Sequence, residues 1–299
     1  MTKLRVATTQ FELRSESSTE EYLAHMDGLV AEAANNGADV VLFPELASTG
    51  LLGSITDHEV TAATVSSDYW NYLPGLTNEI ADGIRQMALA HGIAVLGGSH
   101  NRLAEDGSLR NTAYLAHPDG RVELQDKIHF TPQEHALGMT GGDKLLVTRI
   151  GPYTAGVLIC ADIQFPELSR YLVDQGVDLL LCPSLTWNRR GVHRVKTGCQ
   201  ARAIENQLYV VMSPLVGSSG LPTDAPMHAV GKAVACTPVD KIVGLNDGIL
   251  AVGESDGEQL LVVDLDREVL LASRAKPEAP GLALRRPDFY EQLRAGNKA

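Results

Sequence analysis

Residues 154–169 read TAGVLICADIQFPELS, and the change of period inside this stretch decides the class of fold. Thr154 to Ile159 is an apolar, β-forming run, and FPELS opens a helix a few positions later. Cys160 stands between them. A buried strand can hold a cysteine as one more small hydrophobe, whereas a strand end that breaks into a helix start displays a reactive side chain. The surrounding sequence has to choose between these readings.

Strands and helices alternate on both sides of the break. Leu4 to Thr9 reads as a strand. Ser18 and Glu21 form an S-x-x-E cap ahead of Tyr22, Met26, Leu29, Val30 and Ala33, one face of a helix that stops at Gly37. Strand 40–43 follows, then a helix over about 78–91 with Ile80, Ile84, Met87 and Ala88 on one side and Gly92 as its stop, then the strand IAVLGGS. Pro118, Asp119 and Gly120 join two alternating runs as a hairpin, and Gly151 and Pro152 join another pair, 144–150 and 154–159. Beyond Cys160 the pattern predicts a helix over about 166–175, a strand at 178–182, a helix over about 193–206 and a strand at 208–213. The second half echoes the first without a residue-level repeat.

Such alternation with inserted hairpins describes an α/β protein with one mixed sheet or two, and helices on the outer faces. No Pro/Gly/Ser-rich linker divides the chain, so residues 1–276 read as one domain and 277–299 as a C-terminal tail or arm. The stretch SSGLPTDAPMHAVGK reads as a loop carrying surface or site contacts.

Composition narrows the partners. The 299 residues are 44% hydrophobic and 21% charged, ordinary for a globular protein with a sizeable core. A formal net charge of −12 repels phosphate backbones and anionic headgroups, which argues against nucleic-acid and membrane partners. No leader-like apolar stretch opens the chain and no long apolar run interrupts it, so a cytoplasmic protein is expected. Cys160, Cys182, Cys199 and Cys236 are far apart, with no CxxC pair, and are expected to be free thiols.

Three polar residues fall directly after predicted strands: Glu45 after VVLFP, Lys127 after RVELQD and Cys160 after GVLI. Strand ends are where α/β sheets bind ligands. The set is chemically coherent. A neighbouring ammonium favours a thiolate, a partly buried carboxylate can take the thiol proton, and a lysine that stays charged can hold an oxyanion. The backbone N–H of Ala161, at the strand-to-helix break, is a natural second oxyanion donor.

FPEL at 43–46, KIHFTPQEH at 127–135 and ICADIQFPE at 159–167 resemble, in order and spacing, the three signatures of the nitrilase superfamily of carbon-nitrogen hydrolases. QARAIENQLYVV at 200–211 and CPSLTW at 182–187 resemble further family segments, so the likeness covers roughly the first 240 residues. The resemblance implies Glu45 as general base, Lys127 as oxyanion-stabilising lysine and Cys160 as the nucleophile that forms a thioester. It implies for Glu134 the role of the second glutamate, which positions the lysine and substrate. It also implies a four-layer α-β-β-α sandwich with two mixed sheets, usually dimeric, that needs no cofactor. The expected reaction is cleavage of a primary amide to acid and ammonia, with N-carbamoyl compounds or nitriles as alternative substrates and an amine in place of water as alternative acceptor.

Rival readings remain beside it. His129 or His135 could form a papain-type pair with a cysteine, but that leaves Glu45 and Lys127 unexplained. No HExxH spacing supports a metal hydrolase, and no phosphate loop or GxGxxG follows a strand. Trp187 and the basic group Arg189, Arg190 and Arg194 could bind substrate, the arginines by clamping a carboxylate, or could form a solvated helix start. Tyr69, Trp70 and Tyr72 could line a pocket rim or simply pack. From another class, the fold could persist as an idle binding module; the presence of all four polar residues argues against it.

Overall fold

The structure, a computed structural model, describes residues 2–220 and 228–296. Within the expected loop SSGLPTDAPMHAVGK, residues 221–227 lie outside the described residues. The first half runs β1 (Lys3–Glu12), α1 (Thr19–Asn35), β2 (Val40–Leu42), α2 (Val65–Asn71), α3 (Thr77–His91), β3 (Ala94–Leu103), β4 (Leu109–Ala116), β5 (Val122–Asp126) and α4 (Pro132–Ala136). It continues with β6 (Val147–Ile150), β7 (Tyr153–Val157), α5 (Pro166–Asp174), β8 (Leu179–Ser184), α6 (Arg189–Asn206) and β9 (Tyr209–Ser218). The chain closes with β10 (His228–Ala229), β11 (Val234–Cys236), β12 (Ile249–Val252), β13 (Gln259–Asp266), α7 (Arg267–Ala275) and α8 (Pro287–Gly296).

Two mixed sheets result, ordered β5-β4-β3-β2-β1-β13 and β6-β7-β8-β9-β11-β12. In each, three adjacent strands are parallel, β1 to β3 and β7 to β9, and the flanking strands are antiparallel. The ends of β1 and β9 also pair, Phe11 with Leu215 and Glu12 with Val216, so the hydrogen-bonded path is continuous. The echo between the halves is therefore architectural.

Strand alternation sorts the side chains into layers. Leu4, Val6, Val40, Leu42 and Leu96 share one core with Val157, Leu181 and Val211 of the other sheet. Their neighbours Ala7, Val41 and Val95 turn the other way onto Tyr22, Met26, Ile80 and Ile84 of α1 and α3. On the far side Leu172 of α5 and Val195, Cys199 and Ala203 of α6 cover the second sheet. This is the four-layer α-β-β-α sandwich. Burial of each such large aliphatic side chain stabilises it by roughly 1.5–3 kcal/mol.

Local signals were followed closely, with informative exceptions. Ser18 caps α1 by accepting from the Glu21 N–H at 3.2 Å, but the Glu21 carboxylate reaches the Ser17 N–H at 2.9 Å instead of completing the box on Ser18. Helix α6 starts at Arg189, earlier than the apolar spacing indicated, because the Asn188 side chain accepts from the Gly191 N–H at 2.9 Å. The segment after Pro277 is held through Glu278 N–H to Asp240 at 2.8 Å and an Arg285–Asp174 ion pair at 2.6 Å, while α8 is exposed throughout. No helix among the described residues is long and apolar enough to cross a membrane.

Candidate active site

Each candidate side chain is aimed by a local device. Glu45 follows β2 at a sharp bend: Leu46 has φ 50°, and the Pro44 carbonyl accepts from the Ser99 N–H at 3.1 Å. The Leu46 N–H donates to Ser99 Oγ at 2.9 Å. A bulge in β3 makes room for that bend, and only glycine fits there: Gly98 has φ +73°, and a Cβ on it would lie 2.1 Å from the Pro44 oxygen. Lys127 leaves the end of β5 with its N–H on the Asn111 carbonyl at 2.8 Å. Glu134 serves two purposes. It completes a capping box with Thr131 at the start of α4 and points the same carboxylate at Lys127.

Cys160 sits three residues beyond the last residue of β7 with φ 48°, in the left-handed region that costs a non-glycine residue roughly 1–2 kcal/mol. A tight turn over 160–164 then leads into α5 at Pro166, so the break between strand and helix stands where the sequence placed it. Ala161 follows the thiol in that turn and is buried.

These residues meet in one nearly dry cluster. Lys127 Nζ donates to Glu45 Oε1 at 2.6 Å and to both Glu134 oxygens at 2.7 Å. Asn111 Nδ2 bridges the same two carboxylates at 3.0 and 3.1 Å. The Leu185 N–H donates to Glu45 Oε2 at 3.1 Å while the Leu185 carbonyl accepts from the Cys160 thiol at 3.4 Å, and Ser184 Oγ donates to the sulfur at 3.6 Å. Glu45, Lys127, Glu134 and Cys160 expose between 1 and 6% of their surface, so their charges act with little screening by water.

That burial sets the protonation states. Desolvation, with the Glu134 charge, raises Glu45 above its ordinary 4.5 despite the pull of Lys127. For Glu134 desolvation is outweighed by the Lys127 charge and hydrogen bonds, and its carboxyl lies below the ordinary range. For Lys127 desolvation is outweighed by the two carboxylates, so the ammonium is held above its ordinary value. The Cys160 thiol is raised well above its own, by desolvation and then by the Glu45 charge, which Lys127 does not cancel. At rest the cluster therefore holds a neutral thiol beside a base whose affinity for protons is increased. The neighbouring ammonium therefore makes no standing thiolate here, because two carboxylates already take it up.

A cavity of about 350 Å³ opens onto Glu45, Lys127 and Glu134. Its wall includes Leu46, Val65, Tyr69, Leu137, Met139 and Trp187. Cys160 does not itself line it; the thiol is turned toward Leu185, which does. Of the aromatic group before α3, Tyr69 lines the wall, while Trp70 donates to the Leu137 carbonyl and Tyr72 shares a hydrogen bond of 2.6 Å with Ser54. Arg189, Arg190 and Arg194 are exposed on the first turns of α6 and none of them lines the cavity, which is the solvated helix start. His129 stacks on Phe165 with Nδ1 3.2 Å from Asp162, and His135 meets Phe130 edge-on; neither is a partner of the Cys160 thiol. Among the described residues no group of three or more His, Cys, Asp or Glu is disposed to hold a metal ion.

Three participants escaped the sequence reading. Asn111 and the Leu185 backbone carry no motif. Asp162 lies inside the quoted signature, and its carboxylate accepts from Ile128 N–H at 3.2 Å, His129 N–H at 2.8 Å and Ile159 N–H at 3.3 Å. It thus ties the residues after the lysine to the residue before the cysteine. Asp162→Asn keeps the shape but turns an amide NH₂ toward a backbone donor. We expect kcat to fall on the order of 10²-fold through misplacement of Lys127 against Cys160, with KM little changed. Steady-state kinetics beside thermal unfolding check it: kcat within twofold of the parent would remove this positioning role.

The comparisons with known proteins agree on one family. The sequence profile described as carbon-nitrogen hydrolase matches residues 5–275. A probable hydrolase, YhcX of Bacillus subtilis, is 30% identical over 96% of this chain, which spans 54% of that relative's length. Omega-amidase NIT2 of Xenopus tropicalis is 26% identical over 97% of this chain and 98% of its own. Among solved structures, the amidase from Nesterenkonia sp. AN1, as a double mutant in complex with acrylamide, shares the fold with a TM-score of 0.73 at 22% identity over 98% of both chains. Nit3 of Saccharomyces cerevisiae, of the nitrilase superfamily, gives 0.72 at 22% identity over 93% of this chain and 95% of its own. The family match over residues 5–275, on a fold that the solved structures share almost end to end, makes this protein a member of the carbon-nitrogen hydrolase family.

Proposed function

We propose that the protein hydrolyses a primary amide to a carboxylic acid and ammonia through a thioester on Cys160. The observation that carries this reading is the single buried cluster in which Lys127 bridges Glu45 and Glu134 beside the Cys160 thiol. In the cycle, sulfur attacks the carbonyl carbon as Glu45 takes the thiol proton. Lys127 and the Ala161 N–H hold the oxyanion. Glu45 then returns the proton to the departing nitrogen and ammonia leaves; Glu45 next removes a proton from the water that cleaves the thioester and passes it to the departing sulfur, which restores the neutral thiol. One carboxylate alternates between base and acid, and its raised proton affinity suits both steps near neutral pH. Glu134 holds the ammonium in place and keeps it charged.

The same reading takes residues 1–276 as the catalytic unit and 277–299 as an arm. It places the protein in the cytoplasm, where four buried, unpaired thiols suit a reducing compartment. It also takes the protein as a homodimer, in keeping with the exposed Phe165 and Tyr171 around α5.

Hydroxylamine tests the chemistry. With small aliphatic amides we expect ammonia release, and with hydroxylamine present the acyl group should be diverted to a hydroxamate as the thioester is intercepted. Ammonia release without any hydroxamate would speak against the thioester. Silence on primary amides, with N-carbamoyl compounds or nitriles turned over instead, would move the substrate and leave the triad.

A further inference from the structure

Resting on the amide hydrolysis proposed above, we infer that the acyl group of the substrate is uncharged and apolar, and that amides whose acyl chain ends in a carboxylate are rejected. Among the described residues the charged side chains lining the cavity are Glu45, Lys127 and Glu134, two carboxylates against one ammonium, so this lining carries an excess of one negative charge. That ammonium serves the oxyanion at the reacting carbon and is not free for a second anion at the far end of the acyl chain. Its three donors are already matched by three carboxylate contacts at 2.6–2.7 Å.

Among the described residues the rest of the wall offers a carboxylate no cation, only neutral dipoles: the side chains of Ser66, Gln133 and Thr131, the last already donating to Glu134 at 3.0 Å. Leu46, Val65, Leu137, Met139 and Trp187 are apolar contacts, and the Tyr69 hydroxyl already shares a hydrogen bond with Thr49 at 3.3 Å. Arg189, Arg190 and Arg194 are outside the lining. Residues 221–227, LPTDAPM, carry no basic side chain to supply a clamp. A terminal carboxylate entering this space would lose its water, find no cation and face the excess negative charge. An alkyl or arylalkyl chain would replace water against apolar walls, in a volume at the small end of the usual range for small-molecule pockets.

Matched substrate pairs test this on the wild-type enzyme. Succinamate and 4-methylpentanamide have the same heavy-atom outline, as do glutaramate and 5-methylhexanamide; each pair exchanges a terminal carboxylate for an isopropyl group. Ammonia release is followed for all four and for acetamide, propanamide and butanamide, beside Cys160→Ala as the blank. We expect kcat/KM to favour the neutral member of each pair by about 100-fold or more. We also expect kcat/KM to rise by about 3- to 4-fold per methylene along the linear series until the cavity is filled. Equal or better turnover of succinamate or glutaramate would overturn the inference while leaving the amide chemistry standing. Absence of Cys160-dependent ammonia from every amide would overturn the proposed reaction, and this selectivity with it.

Discussion

Cys160→Ala is expected to lose turnover by on the order of 10⁵-fold, the scale on which removal of a covalent nucleophile outweighs every remaining contribution of a site. Nothing else in the cluster can replace the sulfur. Ser184 Oγ approaches the thiol as a hydrogen-bond donor, and Glu45 and Glu134 are engaged by Lys127 and Asn111. The fold should survive, because alanine keeps the Cβ and removes one buried sulfur. Alanine also keeps the strain of a side chain at φ 48°. Cys160→Gly should relieve it and unfold later than Cys160→Ala, by about 1 kcal/mol. Ammonia release measured beside thermal unfolding separates the two effects. Turnover by Cys160→Ala within tenfold of the parent would remove the cysteine from the mechanism; equal stability of the two variants would show that the left-handed turn stores no strain.

Lys127→Met is expected to affect rate, pH dependence and stability together. Methionine has nearly the same shape, so the change isolates the charge. Without the ammonium, Glu45 and Glu134 face each other in a dry site with only Asn111 between them. Breaking a buried ion pair in this way costs about 3–5 kcal/mol of stability. The loss of oxyanion stabilisation alone lowers kcat by roughly 10²–10³-fold. The pH profile carries the sign. Glu45 acts as a base only when ionised, so activity is present above its pKa and lost as pH falls through it. In the parent that acid limb lies above 4.5, because desolvation and the Glu134 charge raise Glu45 while Lys127 lowers it. Removing the lowering influence moves the limb to higher pH. A kcat/KM profile of Lys127→Met with an unshifted limb, or a kcat close to the parent's, would be incompatible with the role assigned to this lysine.

How much of this was legible in advance depends on the distance over which each feature is encoded. The strand-to-helix break at Cys160 rests on period and composition within a dozen residues, and it stands. The Ser18–Glu21 spacing is equally local, and Ser18 caps α1 by accepting from the Glu21 N–H. Helix faces such as Ile80, Ile84, Met87 and Ala88 follow from the helical repeat, and all four are buried. Glu45, Lys127 and Cys160 could be picked out because each stands at a strand end inside a signature.

What could not be read locally is which distant groups complete the site. Asn111 meets Glu45 across 66 residues, once β2, β3 and β4 have paired, and the Leu185 N–H meets it across 140, once the two sheets have come together. The return of β13 to pair with β1, Lys3 opposite Asp266, is equally remote, and its residues carry no sign of their partner. The arginines after Trp187 show the converse: a suggestive local cluster whose side chains point to water because Asn188 starts the helix there. The sequence alone determined the alternating elements, their caps and the chemical types at the strand ends, since these depend on neighbours a few residues away. Only the tertiary structure decided the balance of charge around Lys127, the neutral resting thiol and the apolar wall before it, because desolvation and Coulomb interactions depend on distances in space that chain order does not contain.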